Sequence, residues 1–229
     1  DPFTNRDPRL EVCVLHDGEE MYGTVIKVAP LKSSGNTGIS QHGDATATGY
    51  YQQKWLDPSI DPQSTGWDMG KDWHVIRFAE VLLTYAEAKN ETTPLDDSAF
   101  EAVNRVRRRA GIPELQKTDA SKPTYCGTQD ELRQRIRNEW RVEFALEGGK
   151  RQWDIRRWGI ASEVLNAPFL GLKYKLVDAP SSPDGQRCIL YEGENIKLTG
   201  SRYSDHNYVY PVPQSEIDLN PALTQNSGY

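Results

Sequence analysis

The sequence predicts a mainly α-helical protein in which a helical frame carries long irregular loops and a few short strands. Apolar residues recur at helical spacing through residues 74–159, which is typical of helices that bury one face. The flanking stretches are rich in Gly, Pro, Ser and Asn, and residues 179–185 form a dense turn cluster. We therefore expect one domain over 1–229, with a hairpin and loops at 1–73, the helical frame at 74–159, and an irregular, extended segment at 160–229.

Composition excludes several classes of protein. The chain has 229 residues and a net charge of -6, which argues against binding to nucleic acid. No segment reaches the roughly 18 consecutive apolar residues that a membrane helix needs. Cys13, Cys126 and Cys188 lack the paired spacing of a disulfide framework or a zinc site, and the histidines are isolated. The sequence therefore predicts no metal-ligand cluster and no cofactor.

Short strands are predicted before the frame. Residues 10–15 and 21–28 have strand-like composition, and the turn signal at Asp17 and Gly18 favours a hairpin between them. Residues 49–56 predict a third strand between loops at 31–48 and 57–73. Residues 57–68 have the length of a calcium loop, but Pro62 stands where the sharp turn needs glycine, which excludes an EF-hand. A looser calcium site made of oxygen ligands stays open.

Two helices open the frame. The first is predicted over residues 74–90, and its buried face contains Val75, Phe78, Ala79, Leu82 and Ala86. The second is predicted over 98–110, with Asp97 as N-cap and Gly111 as C-cap. Together they have about the length of a tetratricopeptide-type repeat, although no second copy is visible in this chain.

A third helix begins at a capping box formed by Thr128 and Glu131 and is interrupted by Gly148 and Gly149. A short helix up to Trp158 follows. The third helix carries one apolar stripe, made of Leu132, Ile136, Trp140 and Phe144.

Glu139, Glu143 and Glu147 lie beside that stripe at intervals of four residues, so they would repel one another without cationic partners. We predict a structural ion network in this region. Its expected further members are Arg105, Arg151 and Asp154.

Catalytic signatures are absent. The sequence has no nucleophile elbow, Walker loop, dinucleotide fingerprint or zincin helix. The glutamates at 139, 143 and 147 could be interpreted as the paired carboxylates of a glycoside hydrolase. Nearby arginines favour ionised carboxylates, whereas a general acid needs a raised pKa. The ion-network interpretation is therefore preferred, and no catalytic residue is assigned.

Five motifs in order resemble the C-terminal region of the SusD/RagB family of outer-membrane nutrient-binding lipoproteins. They are DPRL at 7–10, IRFAEVLL with YAEA at 76–88, VNRVRRRAG at 103–111, EWRVEF through DIRRWG at 139–159, and the ending from YPVP at 210–213 to residue 229. Two small departures are Trp140, where an arginine is common, and the added length at Gly149 and Lys150.

The resemblance implies a SusD-like fold built on tetratricopeptide-type pairs, whose N-terminal half is absent from this sequence. It implies a non-catalytic protein at the cell surface, lipid-anchored to the outer membrane through that missing part. Its expected task is to bind an oligosaccharide or polysaccharide and deliver it to a TonB-dependent, SusC-like transporter. A peptide-capturing member of the same family and a repeat-type scaffold for protein interactions stay open as alternatives.

The shared motifs lie in the helical frame, so the resemblance does not identify the ligand-binding residues. These residues are predicted from the physical chemistry of sugar binding. Sugars are bound by aromatic rings flanked by polar side chains on irregular loops. Trp67 is the first choice as a platform, with Asp68 beside it. Further candidates on the loops up to Trp73 are Tyr50, Tyr51, Asn36, Gln41 and His42, and weaker ones are Tyr203 and His206.

Overall fold

The computed structural model describes residues 3, 5–16, 18–26, 46, 48–60, 70–171, 174–178, 186–190, 196–198 and 203–229. The chain divides into two compact units, Asp1–Gly148 with Tyr174–Tyr191 and Gly149–Lys173 with Glu192–Tyr229. The fold is mainly α-helical with short two-stranded sheets, which confirms the predicted fold class. None of the described helices is long and apolar enough to span a membrane.

Three helices form the core of the first unit, and they are α2 (Phe78–Thr92), α3 (Asp97–Arg109) and α4 (Gln129–Glu143). Helix α2 packs against both of the others. The buried apolar side chains come from one face of each helix and include Leu83, Ala86, Val103, Val106, Leu132 and Ile136. The predicted stripe of α4 is confirmed, since Trp140 and Phe144 are buried as well.

The helix caps follow the sequence signals closely. The Thr128 hydroxyl accepts a hydrogen bond from the Glu131 amide, and the Glu131 carboxylate accepts one from the Thr128 amide, so the predicted capping box is present. Gly111 ends α3 with a φ of 72°, which confirms the predicted C-cap. The N-cap of α3 is Asp96 instead of Asp97, because the Asp96 carboxylate accepts the Ser98 amide.

Helix α2 differs from the prediction in its start and in its buried face. It begins at Phe78, four residues later than predicted, and the preceding Arg77 is extended. Val75 and Phe78 are exposed, while Leu83, Ala86 and Asn90 are buried. Only Ala86 was correctly placed on the buried face, because a helix that is apolar on several sides does not reveal from spacing alone which side faces the core.

Helix α4 ends at Glu143, before the predicted break. Leu146, Gly148 and Gly149 all have positive φ, with values of 61°, 55° and 73°, so the chain leaves the helix through a left-handed turn. This turn places Glu147 outside the helix that carries Glu139 and Glu143. Helix α5 (Lys150–Arg157) then confirms the predicted short helix, which ends before Gly159.

The first predicted strand is mostly a helical turn, α1 (Arg9–Cys13), followed by the short strand β1 (Val14–Leu15). Asp7 explains the difference, since its carboxylate accepts the Arg9 amide and its carbonyl accepts the Leu10 amide. The Asp-Pro start signal and this cap outweigh the strand-like composition of residues 10–13.

The predicted hairpin around Asp17 and Gly18 was also wrong in register. The hairpin lies farther along, between β2 (Glu20–Met21) and β3 (Thr24–Val25). Tyr22 and Gly23 form its two-residue turn with φ values of 52° and 72°, which suits a type I′ turn. Strand β1 pairs instead with β4 (Tyr51–Gln52), inside the predicted third strand.

Four further strands complete the described sheets. In the first unit β6 (Tyr174–Asp178) pairs antiparallel with β7 (Gln186–Leu190). In the second unit β5 (Phe169–Gly171) pairs antiparallel with β8 (Ile196–Leu198).

The second unit is less irregular than predicted. It contains α5, α6 (Ala161–Asn166), a 3-10 turn (Asp205–Tyr208) and α7 (Gln214–Leu219). Ile155, Ala161 and Tyr203 form its small core, and the Tyr208 ring meets the Tyr203 ring edge-on at 5.3 Å.

Candidate functional site

A buried ion network lies in the first unit. Glu139, Glu143 and Glu147 are 1%, 3% and 3% exposed, which charged side chains tolerate only when they are paired. Both carboxylate oxygens of each glutamate accept a hydrogen bond from a cationic side chain. The cations are Arg9, Lys54, Arg77, Arg107 and Arg109.

Arg9 and Arg77 bring distant segments to the glutamates. Arg9, from α1, donates to Glu139 at 2.6 Å and to Glu143 at 3.0 Å. Arg77, directly before α2, donates to Glu143 at 2.8 Å and makes a two-pronged contact with Glu147 at 2.7 and 3.0 Å. The network therefore connects the chain start, the entry to α2, and the end of α4.

The Glu147 carboxyl of this network is held in its charged form. Burial raises the pKa of the Glu147 carboxyl, but the hydrogen bonds from Arg77 and Lys54 outweigh it, so the pKa lies below its ordinary value. A general acid needs the opposite shift. The arrangement thus suits a structural role better than proton transfer.

Three residues expected in the network have other described contacts. The Arg105 guanidinium lies over the exposed Phe78 ring, 5.0 Å from its centroid. The ring face attracts this cation, and Arg107 and Arg109 pair with the glutamates instead. Asp154 accepts from Arg157 at 2.9 Å, and Arg151 lies 5.7 Å from the Trp158 ring, both within the second unit. Their membership of the network stays a prediction.

A stacked pair of tryptophans lies next to the network. The Trp55 and Trp73 rings are 4.7 Å apart at an interplanar angle of 22°. Trp55 is fixed by a hydrogen bond from its Nε1 to the Leu146 carbonyl at 3.0 Å. Gly148 makes room for Trp73, because a Cβ at Gly148 would lie 3.1 Å from the indole. Trp73 is nevertheless 59% exposed, so it presents a fixed aromatic surface to solvent.

Polar groups flank this tryptophan pair. A pocket of 260 Å³ borders Trp55 and is also lined by Cys13, Lys54, His74 and Arg77. Its volume is below the range typical of sites that enclose a small molecule. The arrangement of an exposed ring beside a small open pocket fits a ligand that lies across the surface.

Most of the predicted ligand residues lie outside the described part of the chain. These are Asn36, Gln41, His42, Trp67 and Asp68. Their assignment stays a prediction.

Tyr50 and Tyr51 have structural contacts. Tyr50 is half-buried and meets the Phe3 ring edge-on at 6.4 Å, and burial raises the pKa of its hydroxyl. Tyr51 is in β4, opposite Leu15. Their role in ligand binding stays a prediction.

The weaker candidates pack within the second unit. Tyr203 is part of its core, and its hydroxyl donates to the Asn207 carbonyl at 2.9 Å. The His206 ring meets the Tyr229 ring edge-on at 4.9 Å.

The suggested calcium loop is described only at residues 57–60. Hydrogen bonds from Ser59 and Lys71 hold the pKa of the Asp57 carboxyl at about 2. This carboxylate therefore stabilises its own turn, and the question of a looser calcium site stays open.

Trp73 was not among the ligand candidates predicted from the sequence, although the predicted loop ends at this residue. The sequence does place Trp73 just before a predicted helix, and a ring beside a helix has a rigid neighbour that can hold it in position.

Comparisons with known proteins agree with the architecture. A family model described as "SusD family" matches residues 1–229. Among curated proteins, the chain is 37% identical over 103 residues to SusD-like protein P2 of Formosa agariphila, covering 44% of this chain and 20% of that protein. It is 27% identical over 178 residues to the starch-binding protein SusD of Bacteroides thetaiotaomicron, covering 77% of this chain and 25% of that protein.

Solved structures give the same result. A SusD-like protein from Bacteroides fragilis matches with a TM-score of 0.74 and 28% identity, over 99% of this chain and 39% of that one. A SusD-like carbohydrate binding protein from the same species matches with a TM-score of 0.71 and 29% identity, over 98% of this chain and 42% of that one. The chain thus spans less than half the length of these relatives. From the match along its full length, the chain belongs to the SusD family.

Proposed function

We propose that this chain forms part of a cell-surface protein that binds an oligosaccharide and passes it to a TonB-dependent, SusC-like transporter in the outer membrane. The observation that carries the proposal is the Trp73 indole, which is 59% exposed yet fixed by stacking on Trp55. A fixed ring lies against the apolar face of a sugar with little loss of conformational freedom.

The comparisons support a carbohydrate as the ligand. One relative is named as starch-binding and one solved structure is described as carbohydrate binding. Both are longer than this chain, so the ligand, the transporter and the lipid-anchored location are carried over here as proposals.

A non-catalytic role is part of the proposal. Every carboxylate oxygen of Glu139, Glu143 and Glu147 already accepts from a cation, so none of these groups is available as a proton donor. A reducing-sugar assay that detects turnover in wild type but not in Glu143→Gln would contradict this.

The test is isothermal titration of a glycan panel, beginning with malto-oligosaccharides. We expect Trp73→Ala to weaken binding about tenfold, which corresponds to about 1.4 kcal/mol of lost stacking. Trp153→Ala is the matched control, because Trp153 is equally exposed but lies in the second unit. Trp67→Ala tests the residue predicted from sequence.

Four outcomes decide between the alternatives. Equal affinity in wild type and Trp73→Ala removes Trp73 as the platform, and a loss confined to Trp67→Ala moves the platform to that loop. Binding of peptides but not glycans replaces the sugar with a peptide. A third candidate, a scaffold that contacts proteins, is favoured by the exposed outer face of α2, where Phe78 and Val81 are 60% and 53% exposed, and it predicts no small-ligand affinity.

A further inference from the structure

A group of three metal-ligating side chains lies in the first unit, apart from the tryptophan pair. Glu11 is on α1, His16 follows β1, and Glu19 precedes β2. One ligand atom from each side chain lies within 4.8 Å of the ligand atoms of the other two. Among the described residues, these are the three metal-ligating side chains that lie close enough together to bind one ion.

The distances in this group match metal coordination. The His16 Nε2 atom is 3.5 Å from Glu11 Oε1 and 3.7 Å from Glu19 Oε1. Both separations exceed the usual range of an N–H···O hydrogen bond. Two ligands about 2.1 Å from a zinc ion are about 3.4 Å apart at the tetrahedral angle. The two N···O separations are thus close to the edges of a metal coordination polyhedron.

The fold holds two of the three ligands in place. The His16 side chain is 8% exposed, and its ring stacks on Phe3 at 3.6 Å with an interplanar angle of 2°. The His16 backbone amide donates to Glu19 Oε2 at 2.7 Å, which leaves Glu19 Oε1 directed toward the imidazole. A site arranged in this way loses little conformational entropy when an ion binds.

The charge of the group favours a cation. The Glu11 and Glu19 carboxylates both approach the same imidazole nitrogen, so an ion placed among them faces two negatively charged groups. One imidazole nitrogen with two carboxylates suits a first-row transition-metal ion, whereas calcium and magnesium prefer oxygen ligands alone.

We propose that Glu11, His16 and Glu19 bind a divalent transition-metal ion, with Zn²⁺ as the first choice. Glu11 is 51% exposed, so the site opens to solvent on the side where a water molecule completes the coordination. A bound ion joins α1 to the turn before β2. The sequence predicted no metal cluster because these ligands are separated by a helix end, a strand and a turn.

The test is isothermal titration of the chelator-treated chain with ZnCl₂, and with MgCl₂ for comparison. We expect wild type to bind one Zn²⁺, and Glu11→Gln and Glu19→Gln each to bind it at least about tenfold more weakly, since even the outer partners of metal ligands cost that much. Glu20→Gln is the matched control, because it removes the same charge from an exposed neighbour on β2. It should bind like wild type.

Thermal unfolding provides the second readout. Zn²⁺ should raise the Tm of wild type and Glu20→Gln but not of Glu11→Gln, whose exposed position makes it the variant least disturbing to the fold. The proposal is overturned by absent Zn²⁺ binding, by equal weakening in Glu11→Gln and Glu20→Gln, or by equal affinities for Zn²⁺ and Mg²⁺.

Discussion

Arg77 shows how one side chain sets several features of the first unit. It pairs with Glu143 and Glu147, and its guanidinium also lies 4.6 Å from the Phe144 ring centroid. These contacts require an extended backbone at Arg77, which is why α2 begins only at Phe78. An arginine suits this position because its planar guanidinium can donate to two carboxylates while one face lies over an aromatic ring.

The first prediction concerns the removal of Glu147. Glu147→Ala removes the carboxylate that pairs with Lys54 and one of the two that pair with Arg77, so we expect the free energy of unfolding to fall by about 3 kcal/mol. Glu114→Ala is the control, because Glu114 pairs with Arg108 at the surface and its loss should cost less than about 1 kcal/mol. Urea denaturation measures both. Equal costs in the two variants would contradict a buried network.

Glycan affinity separates a structural role from a binding role. The folded Glu147→Ala variant should bind the same glycans as wild type. A variant that is fully stable yet unable to bind would show that Glu147 belongs to the ligand site.

The same carboxylate predicts a dependence of stability on pH. The pKa of Glu147 is lowered in the folded state, so the unfolded chain takes up the proton first as pH falls. Its contribution is therefore complete above the ordinary value of 4.5 and is lost as pH falls through the folded pKa. Wild type should lose more stability than Glu147→Gln between pH 6 and pH 3, in urea titrations at each pH. Parallel curves for the two proteins would remove this assignment.

At the scale of single residues, the sequence predicted which acids need partners but not which cations supply them. The four-residue spacing of Glu139 and Glu143 is visible in the sequence, and repulsion makes cations necessary. Arg9 could not be chosen, because it lies 130 residues from Glu139 and no local rule connects them. Arg107 was not among the expected partners, because side-chain direction on α3 depends on its packing against α2.

The end of α3 and the start of α4 were the most predictable element boundaries. The capping box of α4 is local, because Thr128 and Glu131 satisfy each other's amides without help from the rest of the fold. The N-terminal turn α1 was mistaken for a strand because its burial is set by Arg9, whose partners lie on α4.

The cap gives a prediction for the stability of an element. Thr128→Ala removes the acceptor for the Glu131 amide, so we expect a loss of about 1 kcal/mol in the free energy of unfolding. Thr84→Ala is the control, since Thr84 is exposed within α2 and alanine is the better helix former. Chemical denaturation should show a loss for Thr128→Ala and none for Thr84→Ala. The cap would be dispensable if both variants matched wild type.

At the scale of the molecule, the family motifs and the ligand candidates occupy different parts of the chain. The motifs at 76–83 and 139–144 supply Arg77, Glu139 and Glu143, so they determine the frame and are recognisable in the sequence. The expected sugar contacts are on loops, where composition does not fix a conformation. The fold class was therefore predictable. The fixed position of Trp73 was not, because it depends on contacts with Trp55 and Gly148 that the sequence does not reveal.

The contact between Arg9 and Glu139 also bears on how quickly the first unit forms and comes apart. Closing a loop of 130 residues costs about 4 kcal/mol in chain entropy, more than one charge-assisted hydrogen bond returns. We therefore expect the first turn of the chain to dock only after α4 and its neighbours have assembled. Contacts that form after the folding transition state slow unfolding more than they speed folding. We therefore expect the contacts of Arg9 to lower the unfolding rate of the first unit.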